Sequence, residues 1–278
     1  MINIHPMKPS DIPFAKSLTD REAWGHVISD FERLIALDPA GCFVAWDNDE
    51  RVGIATTVTY GRYAFLGNII VQHNRRGGII GPQLMQHAIA YLSASGVKTI
   101  ELDGVLAAVA MYRHMGFREK YRSLRLVRSP ADEQRSCEGI SSCKEPVNNL
   151  VRFDYEKTGI RRQHLISRLV EEFPDRMFCL KEECLKAYAL ARERATGVVG
   201  FGPVVADDAT AFSDLLSQVL PVFHGRTITI GIPEANMAGV ELLEQNGFTC
   251  RTFSMRMYRG VRIEYEKNIY GIVSADVG

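Results

Sequence analysis

Two nonapeptides, VAMYRHMGF (residues 109–117) and VELLEQNGF (residues 240–248), restrict this chain more than any other feature. Each ends a helical pattern on Gly-Phe, and each follows an alternating strand (TIELDG, TITIGI) that itself follows an amphipathic helix. The copies lie roughly 130 residues apart, near the length of one small domain, so the pattern reads as an internal repeat. At 278 residues the chain is long enough for two separate cores.

The segments around each copy set the fold class. In the first half a short strand (2–7) precedes two helices, the second stopped by Pro39; the runs GCFVAWDND and RVGIATTVTY form a hairpin, and YAFLGNIIVQ is a further strand. The helix PQLMQHAIAYLSAS places Leu84, Met85, Ala88, Ile89 and Leu92 on one face, and strand, helix and strand then follow, giving the order βααβββαβαβ. Residues 130–149 hold only scattered apolar side chains and read as a linker. Beyond them come the helix RRQHLISRLVEEFP, strands over AYALARER and TGVVGFGPVV, a helix with Phe212, Leu215, Leu216, Val219 and Leu220 on one stripe, the strand RTITIGI and the second repeat helix. The expectation is an α/β protein (α+β mixed sheet) of two tandem domains, 1–129 and 150–278.

Composition excludes several classes. Lys+Arg and Asp+Glu both number 33, so no global field draws in nucleic acid or an anionic membrane, and any anion site must be local. No apolar run reaches the roughly 18–20 residues of a membrane span, and MINIHPMKPS lacks a signal-peptide core; the expected location is cytoplasmic. The cysteines at 42, 137, 143, 179, 184 and 250 lack zinc-knuckle spacing, so no metal site is expected and most should be free thiols. Oligomeric state is not legible.

The chemistry begins at RRGGIIGP, residues 75–82, which joins a strand to a helix through paired glycines. The first N–H groups of a helix have no intrahelical acceptor, the helix dipole adds partial positive charge, and glycine lets backbone approach a phosphate. By itself the stretch reads equally as an anion cradle and as an ordinary strand-to-helix turn. It is not a P-loop, because no Lys-Ser/Thr pair follows the glycines.

The loop, followed about thirty residues later by MYRHMGF, resembles the GNAT superfamily of acyl-CoA-dependent N-acetyltransferases, whose loop has the form R/Q-x-x-G-x-G/A and whose later signature is close to YxxxGF. Arg76 and Gly81 fill the outer positions of the loop with Ile79 where Gly is usual; counted from Arg75, Gly78 is recovered and Ile80 takes the last position. The resemblance covers residues 1–128, and the whole chain is similar to a two-domain subgroup with a divergent second GNAT-like half. That half has Leu243 in place of the tyrosine, no R-x-x-G loop, and Pro203, Asp207 and Asp208 where a phosphate would approach; it is expected to be degenerate and catalytically silent.

The resemblance implies acetyl-CoA as co-substrate, with pantetheine along Ile69, Ile70 and Val71, pyrophosphate held by Arg75, Arg76, Gly77, Gly78, Ile79, Ile80 and Gly81, and Tyr112 as the acid that protonates the coenzyme thiolate. Glu101 and Asp103 alternate with apolar neighbours and share a face; Asp103 is the expected general base and Glu101 is expected on a solvated sheet face. His73 reads as a surface or loop-anchoring residue. Trp24, His26 and Asp30 lie where the family builds its acceptor pocket, for a small-molecule amine or an exposed amino group. The alternative function is a non-catalytic acyl-CoA-binding or ligand-sensing module.

Overall fold

A computed structural model of the protein describes residues 1–130 and 142–278. The first half runs β1 (Ile2–Pro6), α1 (Ile12–Arg21), α2 (Ile28–Leu37), β2 (Cys42–Asp47), β3 (Glu50–Tyr60), β4 (Tyr63–Val71), α3 (Ile80–Ala94), β5 (Thr99–Gly104), α4 (Val109–His114) and β6 (Arg118–Arg128). The second runs α5 (Val147–Thr158), α6 (Gln163–Glu172), β7 (Met177–Lys181), β8 (Leu185–Glu193), β9 (Val199–Ala206), α7 (Ala209–Val219), β10 (Ile228–Pro233), α8 (Met237–Gln245), β11 (Thr249–Gly260) and β12 (Ile269–Gly271). The element order of the first half is the one the sequence pattern predicts.

The chain divides into two compact units, and their limits depart from the expected domains. The first unit holds residues 1–120 together with 256–262 and 275–278; the second holds 121–255 and 263–274. Two late segments therefore complete the first unit. Pattern reading places domain boundaries at polar connections, whereas here β6 and β11 each change unit in mid-strand.

In the first unit β1 to β4 pair antiparallel in chain order, and β5 pairs parallel to β4. β3 is buried without a break from Val52 to Val58, the pattern of a strand covered on both faces. Helix α3 packs on β2, β3 and β4, burying Leu84, Met85, Ala88 and Leu92, while α1 and α2 pack together and reach β3 and β4.

In the second unit β6, β10, β9, β8 and β7 are neighbours in that order, with only β10 and β9 parallel. The predicted stripe of α7 is buried against Ile228, Ile230 and Ile232 of β10. Helix α5 begins within the expected linker and shows no clear apolar stripe, because two of its buried positions are Asp154 and Thr158. Asp154 is matched inside the unit by Arg162 at 2.5 and 3.0 Å and by the Tyr188 hydroxyl at 2.6 Å.

Cys143 and Cys179 form a disulfide, which corrects the free-thiol reading for these two. The Cys143 N–H donates to the Met177 carbonyl and brings the two chains to a Cα separation of 5.1 Å, inside the bridging range. Cys42, Cys184 and Cys250 are free, and Cys137 lies outside the described residues. Among the described residues no helix is long and apolar enough to cross a membrane, and no cluster of metal-ligating side chains occurs.

Candidate active site

The parallel junction of β4 and β5 is short. Tyr63, Ala64 and Phe65 pair with Thr99, Ile100 and Glu101, and no further pair joins the two strands among the described residues. β4 nevertheless continues to Val71, held on its other side by β3. Between Ile54 and Thr56 the β3–β4 register shifts by one residue: Ile54 faces Ile70 while Thr56 faces Gly67. The extra residue is a bulge at Asn68 and Ile69, where Asn68 takes φ 49° and its amide donates to Thr56 Oγ1 at 3.2 Å. A bulge bends its strand, and past Phe65 the side of β4 away from β3 is no longer paired with β5, an edge along which an extended ligand can pair. Ile69, Ile70 and Val71 lie on that edge.

The edge leads into the glycine loop. Gly77 has φ 81°, and a Cβ on Gly77 or Gly78 would have no neighbour within 4 Å, so the backbone is open to approach. Ile79 is 64% exposed, while Ile80 is buried and begins α3. A Cβ on Gly81 would lie 3.8 Å from both Met111 Sδ and Val71 Cγ2, so the end of β4, the start of α3 and the helix carrying Tyr112 meet at one place. The residues thus suit a phosphate-bearing coenzyme with an extended arm: free N–H groups at the start of α3, open glycines before them, and a strand edge behind them.

The two arginines are tied elsewhere. Arg75 bonds Asp47 at 3.2 Å and Glu50 at 2.7 Å, and these carboxylates raise its pKa, Glu50 first. Arg76 pairs with Glu22 and donates to the Val71 carbonyl at 3.0 Å. Their charge is compensated within the first unit, so the backbone is the loop's main source of anion donors. His73 opens a short 3-10 turn and is exposed.

Tyr112 is buried, its ring 6.3 Å from that of Phe117 in an edge-on arrangement. Burial pushes its pKa well up, which keeps the phenol protonated across the neutral and alkaline range. The ring lies against Gly104: a Cβ there would be 2.6 Å from Tyr112 Cε2 and 2.9 Å from Cδ2. Gly104→Ala is therefore expected to displace the ring at a cost of about 1–3 kcal/mol, with lower melting temperature and turnover in one variant. Calorimetry and thiol-release kinetics check this; wild-type values for both would show that the ring yields freely.

Glu101 and Asp103 do share a face, but neither is as expected. Both side chains are fully buried. Glu101 accepts from Tyr63 Oη at 3.1 Å, Lys120 Nζ at 2.8 Å and Arg256 Nη1 at 3.3 Å, which corrects the solvated-face reading. Asp103 accepts from Arg256 Nε at 2.9 Å and Nη2 at 3.0 Å. A carboxylate gripped on both oxygens by a guanidinium is a poor proton acceptor, so the expectation of Asp103 as a general base yields to a structural role. Arg256, fully buried with its guanidinium 4.7 Å over the Phe65 ring, is the residue that sequence reading missed. The local pattern carries no signal for it, because Arg256 alternates in phase with Thr252, Ser254 and Tyr258 rather than with Phe253, Met255 and Met257.

Among the acceptor-pocket residues, Trp24 and His26 come together, with ring centroids 6.3 Å apart, and Phe31 lies 5.6 Å from His26. Asp30 lies in the first turn of α2. It accepts from the Val27 N–H at 3.0 Å and Arg33 Nη1 at 2.9 Å, fastening the start of α2.

The second unit repeats the junction and then fills it. Val199, Gly200 and Phe201 of β9 pair parallel with Ile228, Thr229 and Ile230, again three pairs. Past Phe201, however, β12 pairs with β9 at Val204 and Val205, and a Cβ on Gly202 would lie 1.9 Å from the Ile272 carbonyl oxygen. The start of α7 is also taken, since the Asp208 carboxylate accepts from the Ala211 N–H at 2.9 Å. A cavity of 260 Å³ elsewhere in this unit is lined by Lys157 and Lys181, each already paired with a carboxylate.

Comparison with known proteins agrees with this architecture. A family described as "Acetyltransferase (GNAT) family" matches residues 12–117, and "Acetyltransferase (GNAT) domain" matches residues 150–271. The chain is 25% identical over 261 residues to a protein named holothin acyltransferase from Pseudoalteromonas sp. (strain SANK 73390), covering 92% of this chain and 88% of that one. Its fold resembles a putative acetyltransferase from Pyrococcus horikoshii, with TM-score 0.83, 25% identity and coverage of 100% and 96%. It also resembles a GCN5-related N-acetyltransferase from Sphaerobacter thermophilus, with TM-score 0.67, 15% identity and coverage of 94% and 96%. The chain belongs to the GNAT acetyltransferases, with two such domains in tandem, and is an acyltransferase.

Proposed function

We propose that this protein is a cytosolic N-acetyltransferase that uses acetyl-CoA in its first unit to acetylate a small-molecule amine or an exposed amino group by direct transfer. The observation that carries the reading is the open β4 edge running into the Gly77–Gly81 backbone beside the Tyr112 helix. The coenzyme supplies an activated thioester. Ile69 to Val71 offer backbone groups to its arm and to the acyl carbonyl, and residues 77–81 offer N–H groups to its phosphates. Tyr112 holds a proton for the departing sulfur. Similarity to a relative named for holothin supports a small-molecule acceptor.

Thermal shift and thiol release with acetyl-CoA and a panel of amines test the proposal. Stabilisation by coenzyme with thiol release for at least one amine is expected; stabilisation without release across the panel would favour a binding module.

The second unit is proposed to be silent, because β12 and Asp208 occupy the positions that are open in the first. Calorimetric titration should therefore give one coenzyme equivalent per chain. Two equivalent sites would overturn the assignment.

A further inference from the structure

The loss of Asp103 as a free carboxylate leaves the acceptor amine without a proton acceptor, and a second pair of groups in the first unit stands where one is needed. His26 and Asp276 are both about 5% exposed at the side chain, and His26 Nε2 lies 3.4 Å from Asp276 Oδ2. Neither ring nitrogen of His26 has a hydrogen-bond partner among the described residues. A buried imidazole in that condition is costly unless the site receives a further polar group. Asp276 also marks the place: a Cβ on Gly67 would lie 2.5 Å from Asp276 Cα, and Gly67 is the second residue of β4 past its last pair with β5. Trp24 and Phe31 flank the ring. The Tyr60 hydroxyl donates to the Val277 carbonyl at 2.8 Å, which fixes the segment carrying Asp276.

We infer that His26 is the general base of the acyl transfer, positioned by Asp276, and that the acceptor is an amine cationic at neutral pH. The inference rests on the acetyltransferase reading above. Asp276 Oδ2 lies 3.4 Å from Nε2 without making a hydrogen bond to it, near enough to stabilise the imidazolium once Nδ1 has taken a proton. His26 Nδ1 takes one proton from the substrate ammonium. The freed amine nitrogen forms the C–N bond to the acyl carbon as the C–S bond breaks. Tyr112 gives its proton to the sulfur, and its oxygen recovers the surplus proton on the new amide nitrogen; His26 later releases its proton to solvent. Asp30 is bound by Arg33 on α2, and Asp38 accepts from Thr57, Thr59 and Tyr91. The Cys42 thiol is pushed up by burial and by the nearby Asp38 and Asp276 carboxylates, so it stays neutral.

The test uses the full chain with acetyl-CoA and two probe acceptors: benzylamine, a cation at neutral pH, and hydroxylamine, mostly neutral there. His26→Gln should cut benzylamine kcat/KM about a hundredfold at neutral pH, with the loss shrinking as rising pH frees the amine, while the hydroxylamine rate changes by only a few fold. Asp276→Asn should give a smaller loss with the same selectivity, partly restored by Asp276→Glu. Equal losses for both amines, or no loss, would overturn the assignment, because a packing residue cannot distinguish them. Coenzyme affinity and melting temperature identify a variant that has failed to fold. Histidine ring NMR on the free protein needs no acceptor: ring nitrogen shifts of His26 that change on Asp276→Asn support the pair, and shifts that this substitution leaves unchanged overturn it. Absence of thiol release from the wild type with either probe would count against the acetyltransferase reading itself, leaving the NMR result to decide the pair.

Discussion

Arg256→Met is expected to destabilise the protein by about 3–5 kcal/mol, the usual cost of leaving a buried charge without its partner. The cluster holds two carboxylates, Glu101 and Asp103, and two cations, Lys120 and Arg256, all fully buried at the side chain or nearly so. Removing Arg256 leaves Asp103 with both oxygens stripped of these donors and the cluster with a net negative charge. For a chain of this size the melting temperature should fall by roughly 5–15 °C. Arg256→Lys should recover only part of this, since an ammonium cannot reach Glu101 and both oxygens of Asp103 at once. Asp103→Asn placed in the Arg256→Met background should be less destabilising than additivity predicts, because it removes the cluster's net negative charge. Residues 1–130 expressed alone carry the same deficit. A wild-type melting curve for Arg256→Met would show the cluster to be unimportant to the fold.

Tyr112→Phe is expected to lower turnover by roughly ten- to a thousandfold, with coenzyme affinity and melting temperature close to wild type. The substitution keeps the ring against Gly104 and Phe117 and removes only the hydroxyl. Two effects set the size. A thiol of reference pKa about 8.5 makes a fair leaving group, which limits what an acid can add. Burial raises the phenol above its ordinary value, so complete proton transfer to the sulfur is uphill and the help comes largely as a hydrogen bond in the transition state. Because the phenol stays protonated as pH rises, the loss should be uniform across the neutral and moderately alkaline range. Single-turnover thiol release across pH measures it. A wild-type rate would return Tyr112 to a packing role and give the sulfur its proton from water.

Much of the architecture was legible because its signals are local. The helical stripe of α3, the glycine loop and the Tyr-to-Gly-Phe spacing each depend on residues a few positions apart, and the repeat of YRHMGF against LEQNGF announced two copies of one unit. The illegible parts depend on distance in sequence. Glu101 looks like a surface residue until Lys120 and Arg256 are brought to it, and nothing near Asp103 announces a guanidinium 153 positions away. Asp154 in α5 hides that helix for the same reason, since its partner Tyr188 lies on β8. The change from open edge in β4 to filled edge in β9 was not readable either, because β12 shows only a short apolar run.

The late segments also fix an order of events during synthesis. Contacts such as Tyr60 to Val277, Thr99 to Val261 and Asp103 to Arg256 join positions more than 150 residues apart, and long-range closures of this kind slow folding. The first unit therefore remains incomplete until residues 256–262 and 275–278 have been made, while the second unit lacks only residues 263–274. Throughout that interval Glu101 and Asp103 lack the Arg256 guanidinium. A nascent chain stalled near residue 250 is the species in which protease sensitivity and chaperone capture should be greatest, and the emergence of residues 256–262 and 275–278 should end that window.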